Sequence, residues 1–184
     1  MAYLTKQFAE KTSEREYIAL VWGNIEEDDG TVEGNIGRHD TNRMRMAVHE
    51  SDEKGKHAVT HYKVLERFGY VTLVSCQLET GRTHQIRVHM QHKGFPLVGD
   101  PVYGEKRGAR RSIGSIAKTI VGEQEFDRQA LHAYQLGLIH PRTGEYMSWQ
   151  CELPEDMVAL LAHMGVNELP LPDADMEMEA LLAQ

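Results

Sequence analysis

The chain has 184 residues, of which 41% are hydrophobic and 26% are charged, and its formal net charge is −8 at pH 7. These values are ordinary for a soluble globular protein, and no apolar run is long enough to span a bilayer. The first residues contain no apolar secretory core, so we expect a single cytoplasmic domain with no membrane partner.

The charge is unevenly distributed along the chain. Residues 152–184 contain eight acidic residues and no Lys or Arg, so they account for the whole net charge. Residues 82–111 contain seven basic and two acidic residues, a local net charge of +5. A basic stretch of this kind favours binding to a polyanion, although an ordinary solvated surface is the alternative.

The apolar spacing predicts both helices and strands. Leu4 and Phe8 share one helical face, which predicts an amphipathic helix over residues 2–13. Residues 34–57 have little periodicity and many polar side chains, which indicates a long loop or an irregular hairpin. Alternating patterns predict two sets of strands, the first at 16–22, 58–66 and 70–79 and the second at 130–140 and 145–153.

The C-terminal third adds a glycine-rich, basic loop over 105–125 and a helix over 154–165, whose first turn carries acidic residues. The two cysteines, Cys76 and Cys151, both lie in apolar alternating runs, so we expect them to be small buried residues. A disulfide between them is the alternative.

A polar turn, LETGRTHQIR, occupies Leu78 to Arg87, between a predicted strand and a helix that runs from Thr83 to a stop at Gly94. Unpaired backbone N–H groups at such a turn attract anions, and a glycine lets the chain pass close to a ligand. We expect either Arg82 or Arg87 to face a carboxylate or phosphate, and spacing does not decide which. A capped helix with surface arginines is the alternative.

Three histidines in this region raise the question of a metal. His84 and His89 are five residues apart, which does not match the one-turn spacing of a helical zinc pair, and no carboxylate or cysteine joins His89 and His92. Phosphate-loop, dinucleotide and nucleophile-elbow fingerprints are absent from the sequence. We therefore predict neither a metal nor a cofactor.

Four segments together resemble the RluA family of RNA pseudouridine synthases. Within that family they come closest to the D type, which modifies RNA of the ribosomal large subunit. They are REYIALVWG, RHDTNRMRMAVH, KHAVTHYKVLE and LETGRTHQIRVHMQHKGFPLVGDPVYG, within a resemblance that extends from about Thr5 to Met157. The resemblance implies an α+β fold, with a mixed, largely antiparallel sheet and flanking helices around an RNA-binding cleft. It makes residues 1–163 the C-terminal part of a catalytic domain and 164–184 an acidic tail.

The resemblance also implies a reaction, the isomerisation of uridine to pseudouridine in RNA without a cofactor. The family uses a nucleophilic aspartate of an HRLD-type motif on a flipped-out nucleotide, and no HRLD occurs in these 184 residues. Arg38, His39 and Asp40 have a scrambled order, so we do not assign Asp40 as the nucleophile. We expect a chain shortened at its N-terminus, inactive alone, from an enzyme acting on 23S-type ribosomal RNA.

Several site residues follow from the resemblance. Tyr17 is similar to the family's active-site tyrosine, although a tyrosine of the core is the alternative. Arg87 is similar to the basic residue that pairs with the nucleophilic aspartate. Arg82, His84 and Gln85 would contact the RNA backbone or stiffen the turn. The RNA-gripping loop of the family corresponds to Arg38, Arg43, Arg45 and Lys63.

Two hypotheses of function remain at this stage. The first is part of a pseudouridine synthase, and the second is a non-catalytic RNA-binding or assembly module with the same fold. Under either hypothesis we expect an apolar sheet edge or face that self-association could cover.

Overall fold

The computed structural model describes residues 2–10, 12–51, 53–104, 126, 128–166 and 171. The strands are β1 (Glu14–Trp22), β2 (Asp29–Arg38), β3 (Met46–His49), β4 (Lys56–Arg67), β5 (Val71–Leu78), β6 (Leu131–Ile139) and β7 (Tyr146–Gln150). The helices in this part of the chain are α1 (Ala2–Glu10), α2 (Gln85–His92) and α3 (Glu155–His163). None of these helices combines the length and the apolar character that a membrane span requires.

The seven strands form one sheet in the order β3-β2-β4-β5-β1-β6-β7. Every pairing between these strands is antiparallel. The predicted α+β class is confirmed, and the described strands make a fully antiparallel sheet where the sequence led us to expect a mixed one. The polar turn leads directly from β5 into α2 at one end of the sheet.

The two central strands, β1 and β5, are covered on both faces. Ile18 and Leu20 point to the face that α3 covers, and Ala19 and Val21 point to the opposite face, which α2 covers. Successive side chains of a strand alternate between faces, so a strand buried on both sides must be an almost continuous apolar run. The segment YIALVW has this composition because both of its faces are core.

The structure decides between the two alternatives for residues 34–57. A hairpin of β2 and β3 occupies much of this range, and β2 pairs with β4 from Asp29 opposite Lys63 to Ile36 opposite Lys56. The hairpin alternative was right and the loop alternative was wrong. The pattern was weak because Val32 and Ile36 are the only buried side chains of β2, which is otherwise polar and glycine-rich.

The helix after the polar turn begins later than predicted. α2 starts at Gln85 because His84 has a φ of 58°, in the left-handed region that cannot continue a right-handed helix. Gly94, with a φ of 96°, follows the helix, as the pattern predicted for its stop.

The prediction for the cysteines is right for one of them and wrong for the other. Cys76 is buried on β5, and burial together with the nearby Glu16 carboxylate raises the pKa of its thiol to about 12. Cys151 is exposed, one residue beyond the edge strand β7, and both thiols are free. The predicted basic loop at 105–125 and most of the predicted acidic tail at 164–184 lie outside the described residues.

Candidate functional site

The polar turn between β5 and α2 divides its side chains into an inner and an outer set. Gly81, Arg82 and Thr83 are exposed, whereas Gln85 and Arg87 are buried. This division explains how one short segment accommodates so many hydrogen-bonding groups: some of them hold the turn, and the others face solvent.

Gln85 holds the turn from inside. Its side-chain oxygen accepts hydrogen bonds from the Thr80 hydroxyl at 2.7 Å and from the Arg82 amide at 3.0 Å. Its side-chain nitrogen donates to the Val59 carbonyl at 2.9 Å and to the Thr60 hydroxyl at 3.0 Å. Of the two roles considered for Gln85, burial and these four bonds support stiffening of the turn.

Arg87 is paired with Asp100 through two hydrogen bonds. Its Nε donates to one carboxylate oxygen at 2.7 Å and its Nη2 to the other at 2.8 Å. The arginine side chain is 10% exposed and the aspartate 0%, so the pair is almost fully removed from solvent. The expectation that an arginine of this turn meets an acid is confirmed for Arg87.

The identity of that acid corrects the sequence interpretation. Arg87 was expected to neutralise an aspartate that the 184 residues do not contain, but two of its nitrogens bind an acid of its own chain. The hydrogen bonds that Arg87 donates to Asp100 raise the pKa of Arg87. Burial alone would raise the pKa of Asp100, but the bonds from Arg87 and from the amides of Tyr103 and Val102 outweigh burial and lower it.

Tyr103, which is fully buried, joins the turn to the β2–β3 hairpin. Its hydroxyl accepts a hydrogen bond from the Met46 amide at 2.8 Å and lies 2.9 Å from Nδ1 of His84. Because the amide uses the oxygen as acceptor, the hydroxyl hydrogen is available to donate to Nδ1. Burial and the neighbouring Arg87 lower the pKa of His84, which favours the neutral ring with its proton on Nε2.

Two guanidinium groups contact the ring of Tyr103. Cζ of Arg87 lies 4.9 Å from the ring centroid and Cζ of Arg45 lies 5.3 Å from it, both within the range of a cation–π interaction. Tyr103 thus brings together three of the predicted site residues, Arg45, His84 and Arg87.

The other predicted residues lie around this centre or apart from it. Tyr17 is half-buried on β1, where it packs against the same apolar cluster as Ile86 of α2. Arg38 and Arg43 are exposed on the hairpin, and Arg82 donates from Nε to the His57 carbonyl at 3.0 Å. Lys63 is exposed on the face opposite α2, because its neighbour Tyr62 points into the cluster below α2, so it is not part of this group.

Sequence reasoning missed Asp100 and Tyr103 as site residues. A signal was available in the GDPVYG segment, because an acid before a proline commonly opens a turn by accepting amide hydrogens. One oxygen of Asp100 accepts from the Val102 and Tyr103 amides, each at 2.9 Å. Among the described residues, no three His, Cys, Asp or Glu side chains are grouped so that they could hold a metal ion.

The fold resembles solved structures of proteins that contain an RNA pseudouridylate synthase domain. The structure resembles human RNA Pseudouridylate Synthase Domain Containing 1, with a TM-score of 0.71 and 31% identity, over 98% of this chain and 70% of that one. It also resembles human RNA Pseudouridylate Synthase Domain Containing 4, with a TM-score of 0.67 over 94% and 69% of the two chains. The second likeness, at 23% identity, supports the fold alone.

Residues 1–92 match the family model for RNA pseudouridylate synthase. The chain belongs to the RluA family of RNA pseudouridine synthases. It is 51% identical to the RNA pseudouridine synthase YlyB of Bacillus subtilis strain 168, over 89% of this chain and 48% of that protein. It is 48% identical to ribosomal large subunit pseudouridine synthase D of Escherichia coli K12, over 83% of this chain and 45% of that protein. The chain thus spans about half the length of these relatives.

The Arg87–Asp100 pair leads to a prediction for stability. Asp100→Asn should lower the free energy of unfolding by about 3–5 kcal/mol at neutral pH, because it leaves a buried guanidinium without its counter-charge. Urea unfolding followed by circular dichroism measures the change. The matched control is Asp28→Asn, which breaks the pair with Arg67 at a carboxylate that is 86% exposed and should change stability by less than about 1 kcal/mol.

The same substitution tests the pH dependence. The pKa of Asp100 is lowered below its usual 3.8, so its stabilisation is complete above that value and is lost as the pH falls through the folded-state pKa. The difference in the free energy of unfolding between wild type and Asp100→Asn should therefore become smaller only at acidic pH. A difference that stayed constant down to pH 2 would contradict an ionised Asp100.

Tyr103→Phe tests the link between the turn and the hairpin. The substitution removes the acceptor for the Met46 amide and the donor to His84, and it should lower the free energy of unfolding by about 1–3 kcal/mol. Nitrogen NMR of the His84 ring should show loss of the single Nε2–H form. Tyr70→Phe, at a half-exposed ring, is the control and should change neither measurement.

Proposed function

We propose that this chain carries part of the active site of a cofactor-independent enzyme that converts uridine to pseudouridine in large-subunit ribosomal RNA. Family membership and similarity to ribosomal large subunit pseudouridine synthase D support the reaction and the class of RNA. The observation that carries the proposal is the exposed strip of the turn, Gly81 to Thr83, directly beside the buried Arg87–Asp100 pair.

In this proposal Arg87 orients the nucleophilic carboxylate of the family. Asp100 engages Nε and Nη2 of the guanidinium, and Nη1 lies outside that pair. A guanidinium presents donors on more than one edge, so it can hold a structural carboxylate on one edge and a reacting carboxylate on another. The pair with Asp100 would then fix the direction of the remaining edge.

Tyr17 would hold the flipped-out base. A tyrosine ring can stack on a nucleobase, and its hydroxyl can assist proton transfer. Removing a base from its stack costs a few kcal/mol, which stacking and phosphate contacts must offset. The half-buried position of Tyr17 beside the α2 cluster leaves part of the side chain available for this contact.

RNA binding would involve exposed and partly exposed polar groups around the turn. His84 would contact RNA as a neutral ring, because its pKa is lowered. Arg38, Arg43 and Arg45 belong to the β2–β3 hairpin and its connecting turn, and Arg82 belongs to the polar turn. Such cations bind phosphates and contribute affinity that falls with salt. Lys63, on the other face of the sheet, would contact RNA only where the RNA extends around the edge.

Catalysis by the 184 residues alone is a separate matter. The sequence contains no HRLD motif, so we propose that this chain by itself does not turn over substrate. The same fact favours a second candidate, a non-catalytic RNA-binding or assembly module located in the cytoplasm. Both candidates predict RNA binding, and they differ in whether the fold serves a reaction.

The purified chain, incubated with a large-subunit ribosomal RNA fragment, should form no pseudouridine detectable by mass spectrometry of digested RNA. Clear multiple-turnover product would contradict the proposed inactivity.

Binding of the same RNA should weaken steeply with salt. Arg43→Ala should lower the slope of log affinity against log salt by about 0.7–0.9, the value for one phosphate contact. Arg45→Ala should lower the slope by the same amount, and it also removes the contact of the Arg45 guanidinium with the Tyr103 ring. Arg142→Ala, on the exposed β6–β7 turn, is the charge-matched control. Absence of binding at low salt would rule out both candidate functions.

Self-association is also part of the proposal. The edge strand β7 is exposed along its whole length, and Tyr146, Met147 and Trp149 are among the large exposed apolar side chains. An unpaired edge with apolar side chains can pair with a second chain. Sedimentation velocity should detect a dimer, and a compact, stable monomer at high concentration would contradict this expectation.

A further inference from the structure

Arg15 is a partly exposed cation in which two nitrogen atoms are shielded from solvent and have no hydrogen-bond partner in the described part of the chain. Among the described residues, no hydrogen-bond partner is available to its Nε and Nη2 atoms, although both are shielded from solvent, and the same holds for the hydroxyl of Ser13 two residues earlier. Buried polar groups are almost always hydrogen-bonded, and an unpaired one lowers stability. Three unsatisfied donors at the start of one strand therefore need an explanation.

The position of Arg15 connects it to the candidate site. Alternation along β1 puts Arg15 on the same face as Tyr17, about 7 Å further along the strand. A Cβ on Gly81 would lie 2.5 Å from Nη1 of Arg15, so the guanidinium passes directly under the exposed polar turn. A residue other than glycine at position 81 would displace it.

The acids on either side of Arg15 in sequence, and Glu79 at the start of the polar turn, are already engaged. The Glu14 carboxylate accepts a hydrogen bond from the Tyr146 hydroxyl, Glu16 accepts one from Ser75, and Glu79 lies 2.8 Å from Nε2 of His61. The contrast with Arg87 is direct, because that buried guanidinium has its carboxylate within its own chain. The shielded Nε and Nη2 atoms of Arg15 thus differ from those of Arg87 in having no carboxylate partner among the described residues.

The helix α1 partly covers Arg15. The ring of Phe8 in α1 lies 5.7 Å from Cζ of Arg15, and Phe8 itself is 42% exposed. Gln7 is the buried side chain among those described in α1, and it exchanges hydrogen bonds of 2.7 Å and 2.8 Å with the Ile139 backbone. Arg15 is itself partly exposed, and its Nη1 lies beside Gly81 of the exposed polar turn.

We propose that Arg15 and Ser13 form a phosphate-binding subsite for the RNA backbone next to Tyr17. The Nε and Nη2 atoms present two parallel donors, which match two phosphate oxygens, and the Ser13 hydroxyl adds a third donor. A nucleotide whose base stacks on Tyr17 has its phosphate within reach of this long side chain. The inference rests on the proposed function, since it assigns one phosphate of the RNA that the site would bind.

The test compares Arg15→Met and Arg15→Lys with wild type, using a short uridine-containing stem-loop RNA at several salt concentrations. Arg15→Met should weaken binding on the order of 10- to 100-fold and lower the salt slope by about 0.7, because one charged contact is lost. Arg15→Lys should restore the slope but not the full affinity, since an ammonium lacks the paired donors. Arg142→Met is the control for charge alone.

Stability provides a readout that separates binding from a structural role. Arg15→Met should leave the free energy of unfolding unchanged or raise it, because it removes buried donors that have no acceptor. Thermal unfolding with inorganic phosphate adds a second arm, in which wild type should gain more in Tm than Arg15→Met. Together these results would mean that the residue serves the ligand at some cost to the fold.

Four outcomes would overturn the inference. If wild type binds the RNA and Arg15→Met binds it equally well, the subsite is wrong while the proposed function stands. The same conclusion follows if Arg15→Met loses stability with unchanged RNA affinity, or if only inorganic phosphate responds to the substitution. If wild type does not bind RNA at low salt, the proposed function and the subsite fail together.

Discussion

The buried ion pair between Arg87 and Asp100 is the interaction on which the arrangement of the site depends. A guanidinium at this depth requires a counter-charge, and Asp100 supplies both of its oxygens. The same aspartate accepts two backbone amides of the following turn, so the pair also positions Tyr103. The Tyr103 hydroxyl in turn is hydrogen-bonded to His84 and to the Met46 amide at the start of β3.

This organisation separates support from contact within one short segment. Gln85 and Arg87 face inward and make the turn rigid, which leaves Gly81, Arg82 and Thr83 exposed on a fixed backbone. Rigid support behind an exposed polar strip is what a site for RNA needs, because phosphate contacts gain most when the donors are already ordered. The left-handed backbone of His84 belongs to the same arrangement.

Arg15 and Arg87 show two ways to shield the guanidinium nitrogens of an arginine from solvent in one sheet. Arg87 has its acid within the chain and contributes to folding, whereas Arg15 has buried donors with no acceptor among the described residues. The first arrangement stabilises the protein without a ligand. The second is unfavourable until an anion arrives, and this is the usual relation between stability and function at a binding site.

The sequence alone determined the local features: the doubly buried β1, the strands around Gly69, the turn at Leu78 to Arg87 and the helix that ends before Gly94. These follow from periodicity and from glycine, which act over a few residues. Only the tertiary structure decided that Arg87 pairs with Asp100, that Gln85 faces inward, and that the weakly patterned β2 pairs with β4. Those choices depend on groups distant in sequence, such as Met46 and Tyr103, which are 57 positions apart, and no local pattern contains that information.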